Sequence, residues 1–330
     1  MARAVEPFRG GLPERFLRWI ETLRARIFTI PCFTEGNGTP EGVLDGQRGD
    51  RYYRLDGSGN TLLYLKTTDV GNTGWQAYGE LMSTDFYLEV VKGNVSGHSA
   101  VLIRGHNPNQ SAASGFVDIA EFGSITYLAA AETMNIASTS AADAAAGTGA
   151  RTVLVQGVDN TGAALEEVVA MNGTTNVLTV GSYLRVNSIV ALTAGSGGFN
   201  AGNITATASA AGTVQDEMDA GEGVSQSSHY TVPLGKTLNL LRIELNAARI
   251  SGGGTPELEF QLLARPGGDG AAWQQLFDKT LDTSVVDELD VELAFPEATP
   301  IARTDLRLRS DTDTNNTECR IRLYGILVDD

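Results

Sequence analysis

The sequence predicts a mainly β protein: an N-terminal amphipathic helix over residues 1–30, a small β-module with connecting strands over 31–114, and two β-sandwich or jelly-roll-like domains over 115–220 and 221–330. Three observations point there. Apolar runs are short and alternate with polar residues, the period of half-buried strands. Turn residues recur about every ten positions through the second half, the spacing of a sandwich or jelly roll. Gly reaches 38 of 330 residues while aromatics make up only 7%, as suits short strands joined tightly. The hydrophobic content of 42% is that of a globular chain. At this length it can hold more than one core, since domains usually run about 100–150 residues.

The helix comes first. Gly10-Gly11 ends a lead segment, Pro13 suits a first helical turn, and Pro31 stops it. Leu12, Phe16, Ile20, Leu23 and Ile27 recur at spacings of three or four and share one face. Glu14, Arg15, Arg18, Glu21 and Arg24 occupy the others. Burying each large apolar side chain is worth about 1.5–3 kcal/mol, so this face needs a partner. That partner is this chain's own body, another subunit or a membrane surface, and the modest positive face argues least for the last. These five residues form the expected assembly interface.

A hairpin follows. Tyr52-Tyr53-Arg54-Leu55 enters the turn Asp56-Gly57-Ser58-Gly59-Asn60, and Leu62-Leu63-Tyr64-Leu65-Lys66 returns. Gly and Asn accept positive φ at little cost, which makes this strong hairpin chemistry. Gly71-Asn72-Thr73-Gly74 makes a second turn and Trp75 anchors an aromatic. The stretch over residues 40–75, with "GDRYYRLDGSGNTLLYLKTTDVGNTGW", resembles a small β-module common in tail fibres and other virion proteins of tailed bacteriophages.

The runs at 86–91 (Phe-Tyr-Leu-Glu-Val-Val) and 100–104 read as strands bounded by Gly-Asn and Pro-Asn turns. The Ala-rich stretch 128–149 fits helix by propensity and strand or loop by its Ser, Thr and Gly. From Arg151 the pattern is plain. Strands at 152–158, 165–171, 175–180 and 183–192 alternate with Asn-Gly and Gly-rich turns. Residues 147–209 also resemble a domain of phage virion structural proteins, one that brings no catalytic residues with it. In the last segment Leu258, Phe260 and Leu262 alternate with Glu257, Glu259 and Gln261, a half-buried strand. "DLRLRS" and "ECRIRLYGILVD" alternate likewise, with Arg outward.

Charge and motifs exclude more than they assign. A net charge of −16 opposes binding to nucleic acid phosphates. Residues 1–30 run the other way, with six Arg against three Glu. No stretch of about eighteen apolar residues predicts a membrane span, and the first thirty residues lack the pattern of a signal peptide. Cys32 and Cys319 stand nearly the full chain apart and read as free thiols in apolar niches. Asp311-Thr312-Asp313-Thr314-Asn315 starts like a calcium loop but has Asn316 and Arg322 where that loop needs Gly and Glu, so a polar hairpin is expected. Arg48-Gly49-Asp50 spells an adhesion tripeptide at the entry to a strand. Gly147-Thr148-Gly149 and Gly195-Ser196-Gly197-Gly198 lack the Lys-Ser/Thr of a phosphate loop. His98, His106 and His229 stand in no nucleophile motif. Of Trp19, Trp75 and Trp273, only Trp273 reads as free to meet a ligand.

No catalytic, cofactor or metal site is expected from these residues. The phage resemblance implies a non-enzymatic structural part of the virion, assembled in the bacterial host: a fibre or spike-type appendage, anchored through its N-terminal region and homotrimeric. Its expected partners are other virion proteins and host surface glycan. Capsid decoration is the alternative reading, and a receptor-binding or polysaccharide-degrading tailspike the second.

Overall fold

The computed structural model describes residues 33–57, 62–77, 86–267, 270–284, 288–292 and 303–330. The chain divides into two units, Met1–Glu89 and Val90–Asp330. The expected N-terminal helix lies outside the described residues. No helix among them is long and apolar enough to cross a membrane.

In the first unit β1 (Phe33–Gly36), β3 (Arg51–Arg54), β4 (Leu63–Lys66) and β6 (Trp75–Ala77) form a four-stranded sheet in that order, and β2 (Gly46–Gln47) pairs with β5 (Val70–Gly71). The predicted hairpin is there: β3 and β4 run antiparallel with Tyr52 opposite Tyr64. Residues 58–61 of its turn lie outside the description. Tyr52, Tyr64, Trp75 and Ala77 make the core, with Tyr52 meeting Tyr64 and Trp75 edge-on at 6.2 and 6.3 Å. Among the described residues this core is small, and polar groups close the module around it. Lys66 is fully buried and donates from Nζ to the Thr73 carbonyl at 2.6 Å and to Thr68. The Glu41 carboxylate accepts the N–H groups of Gly74 and Trp75 at 3.0 and 2.7 Å.

The run at 86–91 is a helix, α1 (Phe86–Val91), and not the expected strand. Five apolar residues around Glu89 carry no decisive period. The local ending decides instead: Gly93 at φ 74° donates back to the Val90 carbonyl at 2.9 Å.

Two sandwiches make up the rest. The middle one packs the sheet β11 (Ala164–Ala170), β10 (Ala150–Val158), β13 (Arg185–Ala194) on the sheet β12 (Val177–Tyr183), β9 (Glu132–Ser138), β14 (Ile204–Ala208), β15 (Val214–Met218). Met134, Ile136, Val153, Val155, Ile189 and Ile204 fill the space between. The ambiguous Ala-rich stretch resolves into β9 and a loop. Asp143 holds that loop: its buried carboxylate accepts Ala150 N and Ala201 N through Oδ1, and Gly202 N and Ser138 Oγ through Oδ2.

The C-terminal sandwich has one sheet of β16 (His229–Thr231), β21 (Asp305–Thr312), β18 (Glu257–Arg265) and β19 (Gln274–Asp282), with β8 (Val117–Asp118) also on β21. Its other sheet runs β20 (Glu288–Glu292), β17 (Lys236–Arg249), β22 (Thr317–Asp329), β7 (His98–Gln110). Leu258, Phe260 and Leu262 point inward as predicted, and so do Leu306 and Leu308 between their arginines. Two expectations need correction. The strand predicted to stop near residue 104 continues to Gln110 through the supposed Pro-Asn turn, because Pro108 sits on an edge strand beside an irregularity in the β22 pairing. And β7 and β8, assigned by sequence to the 31–114 segment and the start of the 115–220 domain, belong to the C-terminal sandwich. The middle sandwich is therefore inserted between its strands.

Candidate functional site

Leu12, Phe16, Ile20, Leu23 and Ile27, with Trp19 and Cys32, lie outside the described residues. Arg48-Gly49-Asp50 is used by its own module. Gly49 turns at φ 95°, Asp50 Oδ2 accepts Gln47 N at 2.8 Å, and Arg48 pairs with Asp69 at 3.0 Å. The hairpin expected at Asp311 to Asn315 is a crossover instead: β21 ends at Thr312, β22 begins at Thr317 in the opposite sheet, and residues 313–316 pass between them, with Asp313 Oδ1 accepting Glu257 N at 2.9 Å. Cys319 is a free, fully buried thiol, and burial pushes its pKa up to about 12. His98 opens β7 with Nδ1 at 2.9 Å from the Ser96 carbonyl.

The other singled-out residues converge on the seam where the two sandwiches meet. The connection from β15 to β16 threads it. Ser225, Gln226, Ser227 and Ser228 are all buried, and each is tied to a sheet. Ser225 N donates to Ile189 O, Ser225 Oγ to Asp216 Oδ2 at 2.6 Å, and Ser228 N to Arg104 O at 2.7 Å. The Gln226 carbonyl accepts His106 N, and Ser227 bridges to Gly105. A polar connector with its groups satisfied by both sandwiches makes a fixed joint. Burial raises the Asp216 pKa, against the charge of His229 and the Ser225 hydrogen bond. His229 places each ring nitrogen against a backbone carbonyl, that of Ser227 and that of Val186.

At one end of the seam Arg185 reaches from the middle sandwich to Asp305 at 3.4 Å, and Arg265 meets the same carboxylate at 2.5 Å. Both guanidiniums lie over the Tyr127 ring, at 4.8 and 4.6 Å from its centre. Trp273 packs on Tyr127 with ring centres 5.5 Å apart, between Arg265 and Arg307. Trp273, expected to be free for a ligand, has its ring engaged inside the protein. Arg307 is in turn held by Asp118.

At another point His106 stands between Glu121 and Glu318, 3.2 and 3.0 Å from its two nitrogens, and Asp219 lies close by. Burial raises the Glu121 pKa, opposed by the His106 hydrogen bond and reinforced by Asp219. For Glu318, burial works to raise the pKa, but Arg320 and His106 outweigh it and hold the carboxyl below its ordinary range. Sequence reading found His106 alone. Its neighbours stand at 121, 219 and 318, and no local spacing links them.

The middle sandwich also presents an apolar edge. β11 and β12 end their sheets on one flank, where the Glu167 carboxylate accepts Val180 N and Gly181 N. Val168, Leu178 and Val180 are exposed there, Val180 at 92%.

No protein-family model matches the chain, and no curated protein matches it. Among solved structures it is similar to the VP2 subviral particle of infectious bursal disease virus, at 10% identity over 71% of this chain and 73% of that one, with a TM-score of 0.19. It is also similar to a chain described under the triple jelly roll fold and turret assembly in an archaeal virus, at 9% identity over 71% of this chain and 60% of that one, with a TM-score of 0.15. Scores this low carry no argument, and the mainly β architecture rests on the sheets described above.

Proposed function

We propose that this chain is a non-enzymatic structural protein of a tailed-phage particle, a fibre- or spike-type appendage anchored through its N-terminal segment and working as a homotrimer. The observation that carries the reading is how the phage-like motif uses its residues. Arg54 pairs with Asp56 at 2.8 Å. Lys66 holds the Thr73 carbonyl, Asn72 Nδ2 the Gly42 carbonyl at 3.0 Å, and Trp75 Nε1 the Leu44 carbonyl at 2.7 Å. These groups close the module on itself, as suits a structural unit better than a reaction site. The fixed joint between the sandwiches suits a body that bears load, and the exposed Val168, Leu178 and Val180 suit contact between copies.

Particle incorporation is the test. Deleting residues 1–30 is expected to leave the melting of the body nearly unchanged and to abolish incorporation. Phe16→Asp with Ile20→Asp should do the same, since two carboxylates are costly to desolvate in an apolar groove. Normal incorporation of the double variant overturns the anchoring role. A stable monomer at micromolar concentration in light scattering overturns the homotrimer. New reducing ends from host surface polysaccharide overturn the non-enzymatic reading. Imaging of labelled copies on the particle distinguishes an appendage from capsid decoration.

A further inference from the structure

Four side chains from distant parts of the chain meet at the His106 point of the seam: His106 from β7, Glu121 from the crossing into the middle sandwich, Asp219 just after β15, and Glu318 from β22. One ligand atom each from His106, Glu121 and Asp219 lie within 4.8 Å of one another. Behind the ring, Nε2 of His106 is 3.0 Å from Glu318 Oε1. The same oxygen accepts Arg320 Nε at 2.8 Å, so Glu318 is a charged acceptor and Nε2 carries the proton donated to it. Nδ1 stands 3.2 Å from Glu121 Oε1, with Asp219 beside it. Electron-rich atoms in that arrangement repel unless something positive lies among them. The Glu121 side chain is fully buried. Its partners are the His106 ring, the Gln226 amide at 3.3 Å and the Asp219 N–H at 3.2 Å, with no Lys or Arg among them.

We infer that His106 Nδ1, Glu121 and Asp219 form a site for a divalent first-row cation of the Zn²⁺ or Mn²⁺ kind, which ties the two sandwiches together. A carboxylate behind the ring is the usual support for a metal-binding His, because it fixes the tautomer and aims the other nitrogen. One imidazole nitrogen with two carboxylate oxygens suits such ions. Ca²⁺ prefers six or more oxygens. Bond lengths of about 2.0–2.2 Å in a tetrahedral site place ligand atoms about 3.3–3.6 Å apart; His106 Nδ1 and Glu121 Oε1 stand near that separation at 3.2 Å, and the Asp219 carboxylate closes the set by a side-chain rotation of about 1 Å or more. The Gln226 amide steadies Glu121 for that role. His106 belongs to the C-terminal sandwich and Asp219 to the end of the middle one, so the ion cross-links them.

The test uses the full chain, stripped with a chelator and dialysed. After incubation with Zn²⁺ or Mn²⁺, elemental analysis is expected to find one equivalent per chain, and the melting temperature to rise with metal concentration. Asp219→Asn and Glu121→Gln keep shape and remove charge. Each should abolish the stoichiometric ion. Asp219 is only partly buried, so its variant should melt like the stripped wild type. Glu318→Gln should weaken binding by about 10–100-fold. The inference is overturned if folded wild type takes up neither metal, or if Asp219→Asn binds as wild type does, which places the ion on other carboxylates. Nitrogen NMR of His106 showing both nitrogens protonated with metal present also overturns it.

Discussion

Replacing Asp143 with Asn tests whether a single carboxylate organises the loop that joins β9 to β10. The buried side chain accepts four hydrogen bonds: from Ala150 N at 2.7 Å, Ala201 N at 2.8 Å, Gly202 N at 2.9 Å and Ser138 Oγ at 2.6 Å. Asn matches the shape but offers one acceptor oxygen and one NH₂. Its better orientation keeps the oxygen toward Ala150 and Ala201 and turns the NH₂ toward Ser138 and Gly202. The Ser138 hydroxyl can rotate to accept, but the Gly202 N–H cannot, and it is left buried without a partner at about 1–3 kcal/mol. The two retained bonds lose their charge assistance, about half their strength. The total is about 3–5 kcal/mol, a large part of the stability of about 5–15 kcal/mol expected of a folded domain. Urea unfolding measures the loss. Hydrogen exchange should speed up first at the amides of Ala150, Ala201 and Gly202. An Asn variant within about 0.5 kcal/mol of wild type, with those three amides still protected, refutes the reasoning.

Other expectations follow from the seam and the small module. Asp305→Ala leaves the Arg185 and Arg265 guanidiniums without their shared buried carboxylate and should cost about 3–5 kcal/mol in thermal melting, more than Arg265→Ala does. Lys66→Met fills the same space but removes the donor that Thr73 and Thr68 share, the Thr73 carbonyl keeping only the Thr68 hydroxyl at 2.6 Å, so the first unit should weaken by about 0.5–1.5 kcal/mol, read from the near-ultraviolet circular dichroism of Trp75. With its pKa pushed up to about 12 by burial, Cys319 is protonated at pH 8 and should resist a thiol reagent until the chain is unfolded. Fast labelling of Cys319 in the folded protein contradicts this.

Much of the fold could be read locally. Alternation along Leu258, Phe260 and Leu262, and along the arginine-studded β21 and β22, names inward faces because successive side chains on a strand point to opposite sides. Turn chemistry placed β3 against β4 and separated β10 from β11. What was missed depends on distance or on absent periodicity. Phe86–Val91 has no period to read, and its helix ends through Gly93. Asn107-Pro108-Asn109 looks like a turn until β22 is seen beside it. The seam was invisible for the same reason: Arg185 and Asp305 are 120 residues apart, and His106 and Glu318 are 212 apart. Trp273 reads locally as free for a ligand, and the residues that engage its ring, Tyr127, Arg265 and Arg307, come from elsewhere in the chain.

The insertion of one sandwich inside another sets an order of events during synthesis. β7 leaves the ribosome before any of the middle sandwich, and its partner β22 follows about two hundred residues later, as the 209-residue separation of Gln110 and Cys319 shows. At about 5–20 residues per second that wait lasts roughly 10–40 s. Strands β9 to β15 are contiguous and can pair among themselves meanwhile, whereas the thirteen residues of β7 must stay soluble without their ladder. The outer sandwich closes last, across a loop long enough to make it the slow step. A nascent chain stalled before β22 should therefore carry a protease-resistant middle sandwich flanked by a cleavable β7. In the cell, the yield of such a protein depends on what shields that one strand until its partner arrives.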